Sequence, residues 1–265
     1  MSKVISYSLY NCRRMDMLNS VVNCFLAQKI YPDWVLRFHL DETVPSNIVS
    51  ILSTFDNVEI FDCNSSIEDA KKMMWRFLPA SDPDVDVFIS RDADSWLSYR
   101  EKVCVDAFLE SDKSLHIIRD HCYHVHPIMG GMWGAKNGLI SNIDKLMQQW
   151  YREVPIHVPY DQAFLARVIY PVHVNNSMVH VAEQYNIHGQ RDNYHDDGSI
   201  PMPESKKTEF ENFSFPEANE INKFQCIHCK NYHGEFVGGI LEKLPDKTEN
   251  FLKEYFKSKN IEYLF

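Results

Sequence analysis

The segment VDVFISRDADS, residues 85–95, is an apolar strand that delivers two carboxylates, Asp92 and Asp94, just beyond its C-terminal end. In an extended backbone, residues i and i+2 point to the same side, so both carboxylates can approach one cation directly or through water. Open α/β sheets bind ligands outside the carboxyl ends of their strands, which is where this pair falls. Two hard oxygen donors with open coordination positions suit Mn²⁺ or Mg²⁺ bound together with substrate phosphates. Such an ion neutralises the charge that develops when a nucleoside diphosphate leaves. Asp-x-Asp is also a frequent turn tripeptide, and here the apolar strand ahead of it gives it functional weight.

Moving outward, strand-like and helix-like periods alternate. KVISYSLY (3–10) reads as a buried strand, and the pairs Met17/Leu18, Val21/Val22 and Phe25/Leu26 mark an amphipathic helix stopped before Pro32. WVLRFHLD (34–41) is a second strand, 47–55 a short helix, VEIF (58–61) a third strand, and 67–78 a helix leading into an acidic, Pro-containing loop. Ser98 and Glu101 form a capping box that opens a helix over 98–110, and SLHIIR (114–119) is another strand. This alternation predicts an α/β fold with a mostly parallel sheet covered on both faces. Further on, Ile143, Leu146, Met147, Trp150 and Tyr151 fall at helical spacing, as do Phe164, Leu165, Val168 and Ile169. Residues 186–223 read as polar loops, and a last helix is expected at 248–258. A main domain over 1–205, its nucleotide part about 1–95 and its acceptor part about 96–205, would carry 206–265 as a packed extension.

The 265 residues hold 27 Lys+Arg against 37 Asp+Glu, a net charge of −10, with 45% hydrophobic residues. Such a chain can bury a large core, and its acidic balance argues against nucleic acid or an anionic membrane surface as partner. No window approaches a membrane span, and MSKVISYSLYNCRRMDML turns polar after one short apolar run, so no secretory signal is expected. Seven scattered cysteines predict thiols in a reducing, cytoplasmic compartment, the host's if the chain is viral.

FISRDADSWLSYREK (88–102), HIIRDH (116–121) and HPIMGGMWGAK (126–136) together resemble nucleotide-sugar glycosyltransferases of the GT-A type. The chain is similar in particular to small enzymes of bacteria and large DNA viruses that carry an (S)RDAD motif. The resemblance runs over about residues 3–182 and is most specific at 88–102 and 127–136. It implies a Rossmann-like GT-A fold, a mostly parallel mixed sheet flanked by helices, with Asp92 and Asp94 as the metal pair, usually for Mn²⁺. It further implies a nucleotide-diphosphate sugar, most readily a UDP-sugar, as donor and a glycan or other hydroxyl compound as acceptor. Ser90 and Arg91 would shape the donor pocket, Ser8, Leu9 and Tyr10 would hold base and ribose, and Arg76 would contact the diphosphate.

Gly130 and Gly131 let a backbone approach a sugar closely, and the Trp133 indole offers a face to stack on a pyranose. A tight turn before a buried strand explains the same residues. Tyr160-Asp161-Gln162 opens a helix after Pro159, where an Asp ordinarily caps or meets the helix dipole. The resemblance implies instead that Asp161 and Gln162 face the reacting centre. Asp161 is then the general base of an inverting enzyme, or with Gln162 stabilises an oxocarbenium-like centre in a retaining one. His180 and His233 are candidate third metal ligands by the same resemblance. His121, His124 and His126 read as a polar loop, one of which could touch the acceptor.

Two other readings compete. A phosphatase of the haloacid-dehalogenase type would use Asp92 as nucleophile, with an acidic pair drawn from His195-Asp196-Asp197-Gly198. A zinc-binding interaction module would use Cys226 and Cys229 with His233 and His228, a short and strained ligand spacing. Asp82, Asp84, Asp86, Asp92 and Asp94 all lie around one strand, so a nucleotide diphosphate is expected there only with a cation.

Overall fold

Alternating periods along the first 120 residues supply five strands of a mixed sheet, and three more strand segments complete it among the described residues. The computed structural model describes residues 2–11, 13–63, 66–121, 124, 126–181, 200–202, 237–239 and 243–263. In order, these form β1 (Lys3–Leu9), α1 (Arg14–Ile30), β2 (Val35–Leu40), α2 (Ser46–Leu52), β3 (Val58–Asp62) and α3 (Asp69–Lys72). A 3-10 segment (Met73–Ser81) leads to β4 (Val87–Ser90), α4 (Tyr99–Glu110), β5 (Leu115–Arg119), β6 (Trp133–Lys136) and α5 (Ile143–Glu153). Then come α6 (Tyr160–Phe164), a π turn (Leu165–Ile169), α7 (Tyr170–His173), β7 (Ser177–Val181), β8 (Ile200–Pro201) and α8 (Asp246–Ser258).

The eight strands lie in the order β3-β2-β1-β4-β6-β5-β7-β8. β6 runs antiparallel to both neighbours, β4 and β5, and the remaining pairs are parallel. This is the expected α/β architecture, a mostly parallel mixed sheet flanked by helices. Its two faces carry separate cores. Ile5, Tyr7 and Leu9 of β1 join α1, α2 and α8 on one side, whereas Val4 and Phe88 join the 3-10 segment, α5 and α6 on the other. Alternate strand residues pointing to opposite faces produce that division.

Several expectations change in detail. The helix expected over 67–78 is one α turn followed by 3-10 geometry. Ser8 Oγ takes the amide of Arg76 at 2.9 Å and donates to the carbonyl of Met73 at 3.2 Å. Two backbone groups are thereby diverted from an α-helical ladder. The capping box at α4 is half made. Ser98 Oγ accepts from the Glu101 amide, but the Glu101 carboxylate serves Arg91 and Tyr31 instead. α8 starts two residues earlier than read, at Asp246, and seats Phe251 and Tyr255 against Phe25 of α1 at 5.1 and 4.8 Å. Residue 205 and most of the polar stretch 186–223 lie outside the described residues. No helix among the described residues is long and apolar enough to cross a membrane.

His39 of β2 is buried with no hydrogen-bond partner at Nε2 among the described residues. Burial, helped by the Arg37 charge, pulls its imidazole down to about 3. The unfolded chain takes up this proton near pH 6.5, so His39 costs native stability as pH falls below that value. Relative to wild type, His39→Leu should therefore gain about 1.4 kcal/mol for each pH unit below about 6. Urea unfolding at pH 7 and pH 5 measures it, and the same difference at both pH values would contradict it.

Candidate active site at the carboxyl edge of the sheet

Parallel pairing of β4 with β1 sets Ser90 opposite Ser6, and the Arg91 amide continues the ladder to the Ser6 carbonyl at 3.0 Å. Asp92 and Asp94 therefore leave the sheet beside Tyr7 and Ser8. Antiparallel β6 sets Trp133 opposite Ser90, so the turn that feeds β6 lies over the same edge. Ser90 Oγ fastens that turn by donating to the Gly130 carbonyl at 2.7 Å.

Arg76 sits at the centre. Its Nη1 pairs with Asp92 Oδ1 and its Nη2 with Asp161 Oδ2 at 2.9 Å. Arg76 is only 5% exposed and Asp161 1%, so the helix-start arm of the bridge is nearly dry, whereas the Asp92 arm stays open to solvent. Burial disfavours the guanidinium charge, yet the two carboxylates hold it firmly protonated. Burial pushes the Asp161 carboxyl up, Arg76 opposes this, and the Asp92 charge adds to it. Asp161 Oδ1 and Arg76 Nε are buried with no hydrogen-bond partner among the described residues.

Gly130 and Gly131 are needed for contact, but the contact is internal. A Cβ on Gly130 would strike Asp161 Oδ2 and Arg76 Nη2, and one on Gly131 would strike the Asp92 carboxylate and lie 2.9 Å from its amide. The missing Cβ atoms make room for the ion-paired side chains.

Asp94 turns toward α1. Arg13 Nη2 bridges Asp94 Oδ2 at 3.0 Å and Asp16 Oδ1 at 2.8 Å. Burial, then the Asp92 and Asp16 charges, push the Asp94 carboxyl up to about 6 against the pull of Arg13. The loop that follows is held by Asn19 and Asn23, buried polar residues of α1.

Other expected residues separate from this centre. Trp133 is fully buried between Phe77 and Phe88, at 5.2 and 5.0 Å, and has no face left for a sugar. Its strand is covered on both faces, so the indole fills the core. Arg91 is also buried, donating to Glu101 at 3.2 Å and to the Ser90 carbonyl at 2.7 Å, which makes it a tie to α4 rather than a donor-pocket wall. Leu9 belongs to the core, and the Ser8 hydroxyl is engaged by the 3-10 segment. Of that trio Tyr10 keeps a partly open side chain, its ring 6.0 Å from Trp75 and 6.0 Å from Lys72 Nζ.

His180 lies on β7, three strands from β4, about 14 Å across at the usual strand spacing. It pairs with His116 at 3.0 Å and is not brought to the aspartate pair. His124 accepts from the Asp120 amide at 3.0 Å and packs near His121. Burial lowers the His126 imidazole and the Asp161 charge opposes that shift, so His126 is within electrostatic reach of Asp161. Gln162 follows Asp161 on α6 and is partly open. His195, Asp196, Asp197, Gly198, Cys226, His228, Cys229 and His233 lie outside the described residues.

The acidic run also divides. Asp82 pairs with Arg37 and Asp86 accepts from the Ser2 amide, both at the N-terminal end of β4, while Asp92 and Asp94 leave the other end. Sequence reading overlooked Arg13, Asp16, Asn19 and Asn23, along with the buried Lys72–Asp41 pair at 2.7 Å. The available signal was two asparagines one turn apart on a helix whose other residues are largely apolar.

The chain matches no protein-family profile and no curated protein sequence. Among solved structures it is similar to a glycosyltransferase involved in the glycosylation of the major capsid of PBCV-1, at 14% identity and a TM-score of 0.47, covering 72% of this chain and 91% of that one. It is similar to the mannosyltransferase PcManGT from Pyrobaculum calidifontis, solved with GDP-Man and Mn²⁺, at 8% identity and a TM-score of 0.41, covering 54% and 46%. It is also similar to 4-diphosphocytidyl-2C-methyl-D-erythritol synthase from Anaerococcus prevotii, at 13% identity and a TM-score of 0.44, covering 73% and 97%. Likeness at this level gives no residue a role.

Because a Cβ at position 131 meets both the carboxylate and the amide of Asp92, Gly131→Ala should cost about 1–3 kcal/mol in urea unfolding, as overpacking does. Unchanged stability would show that the turn does not rest on Asp92.

Proposed function

We propose that this chain is a glycosyltransferase of the GT-A type that uses a divalent cation. It moves a sugar from a nucleoside-diphosphate donor, UDP-linked by preference, to a hydroxyl of a glycan or related acceptor. The observation that carries the reading is the buried Arg76 bridge, which brings the strand-end Asp92 and the helix-start Asp161 to one place on the carboxyl edge of the sheet.

The donor set suits a hard divalent ion. Asp92 and Asp94 are oxygen donors at i and i+2, and the Asp92 side chain is 39% exposed. Among the described residues no group of three His, Cys, Asp or Glu surrounds a common point, so substrate phosphate and water would complete the coordination. Asp92 and Asp94 would hold Mn²⁺ or Mg²⁺, and the ion supplies charge neutralisation at the departing diphosphate. Arg76 and Arg13, which now neutralise these carboxylates, would then be free to meet phosphate oxygens. Tyr10 offers its ring to the base.

Asp161 fits the general base. Its Oδ1 is unpaired among the described residues, and burial holds its proton affinity above that of an ordinary carboxylate. Proton transfer from the acceptor hydroxyl to Oδ1 would accompany attack on the anomeric carbon, with inversion. Gln162, next on the helix, would orient the acceptor. A retaining course, with Asp161 steadying an oxocarbenium-like centre, has no observation in its favour. The phosphatase reading needs a lysine beside its nucleophile, whereas the cation paired with Asp92 is Arg76. The free thiols Cys24, Cys63 and Cys104 suit a reducing compartment.

Incubating the protein with nucleotide sugars and Mn²⁺ should release free nucleoside diphosphate. Asp92→Ala and Asp94→Ala should abolish release, and Asp161→Asn should slow it by about 10²–10⁴. Turnover unchanged in both Ala variants would end the cation assignment. Pyrophosphate release from a nucleoside triphosphate would make the chain a nucleotidyltransferase instead.

A further inference from the structure

Asn19 and Asn23 lie one helical turn apart on α1, and both are fully buried. An amide inside a helix–sheet interface costs free energy unless its donor and acceptor are both used. Here they are used on one target. Asn23 donates through Nδ2 to the Ser95 carbonyl at 2.8 Å and accepts at Oδ1 from the Leu97 amide at 3.0 Å. Asn19 accepts at Oδ1 from Trp96 Nε1 at 2.7 Å, and its Nδ2 lies 3.4 Å from the Asp94 carbonyl. Ser95 in turn reaches back to the Asp92 carbonyl, with its hydroxyl at 3.1 Å and its amide at 3.4 Å. Every residue from Asp94 to Leu97 is thus bonded through backbone or side chain to one of the two asparagines, and Asp92 is bonded through Ser95.

We infer that Asn19 and Asn23 are positioning residues that set the spacing of Asp92 and Asp94 for a divalent cation. The inference rests on the proposed cation role of that pair. Residues 91–98 form no helix or strand of their own; the Ser95 bonds to the Asp92 carbonyl close one turn of the loop, and the two asparagines fix that turn to α1. An aspartate at either asparagine would lose the donor, and a leucine would lose both groups. The amide alone satisfies an acceptor and a donor on the same loop. Groups that orient metal-binding carboxylates typically change metal affinity by about 10–100-fold when removed.

Binding of Mn²⁺ alone, followed by the free-ion electron paramagnetic resonance signal, tests this on the full chain. Asn19→Ala and Asn23→Ala, checked for folding by circular dichroism, should each weaken Mn²⁺ binding about 10-fold or more. Phe256→Ala, which opens the core beneath α8 and removes no hydrogen bond to the loop, should lower thermal stability and leave Mn²⁺ binding unchanged. If either alanine variant fails to fold, Asn19→Ser and Asn23→Ser, which retain one hydrogen-bonding group, carry the same comparison. Asparagine variants that bind as wild type while Asp92→Ala loses binding would overturn the positioning role and leave the cation reading standing. Equal weakening in Phe256→Ala would also overturn it, as an effect of stability alone. Absence of Mn²⁺ binding by wild type, or unchanged binding by Asp92→Ala, would overturn the cation reading and the inference together.

Discussion

The guanidinium of Arg76 is the constraint on which the carboxyl edge depends. It is a buried cation with a carboxylate on each side, and neither carboxylate is supplied by its own segment. Removing one member of such a pair strands an uncompensated charge, which typically costs about 3–5 kcal/mol. The 3-10 geometry of its segment, the two glycines of the turn and the placement of α6 together bring these three groups into contact. Ser8 bends the segment, Gly130 and Gly131 leave room for the ion pairs, and Ser90 ties the turn down.

Antiparallel β6 gives this edge its shape. Were β6 parallel, the turn before it would lie at the opposite end of the sheet. Antiparallel pairing with β4 sets that turn against the point where Asp92 and Asp94 emerge. The acidic charge is correspondingly organised, with one group of aspartates satisfied by Arg37 and Ser2 at the far end and another shared between Arg76 and Arg13 at the near end.

Much of this was legible from the chain, for identifiable reasons. Buried strands such as β1, β2 and β4 announce themselves by short segments rich in apolar residues, and α1 and α5 by apolar pairs at helical spacing, because those signals are local. Trp133 was ambiguous because an indole serves equally as a stacking face and as core filling. Only the covered sheet on both sides decides which. The resemblance made Arg91 a donor-pocket residue, yet Arg91 meets Glu101 of α4 while Asp92 meets Arg76 of the 3-10 segment. Asn19 and Asn23 drew no notice, since polar residues on an amphipathic helix ordinarily face water.

The amino-acid sequence by itself determined the α/β alternation and the apolar strand ending in Asp92 and Asp94. It also determined the helix start at Asp161 and the glycine pair before a buried strand. Tertiary structure alone decided that Arg76 joins Asp92 to Asp161, that Asp94 turns to Arg13 and Asp16, and that His180 lies three strands away. The division has a physical cause. Periodicity and capping act over a few residues, whereas the meeting of charges 69 positions apart in the chain, as for Asp92 and Asp161, depends on strand order and register.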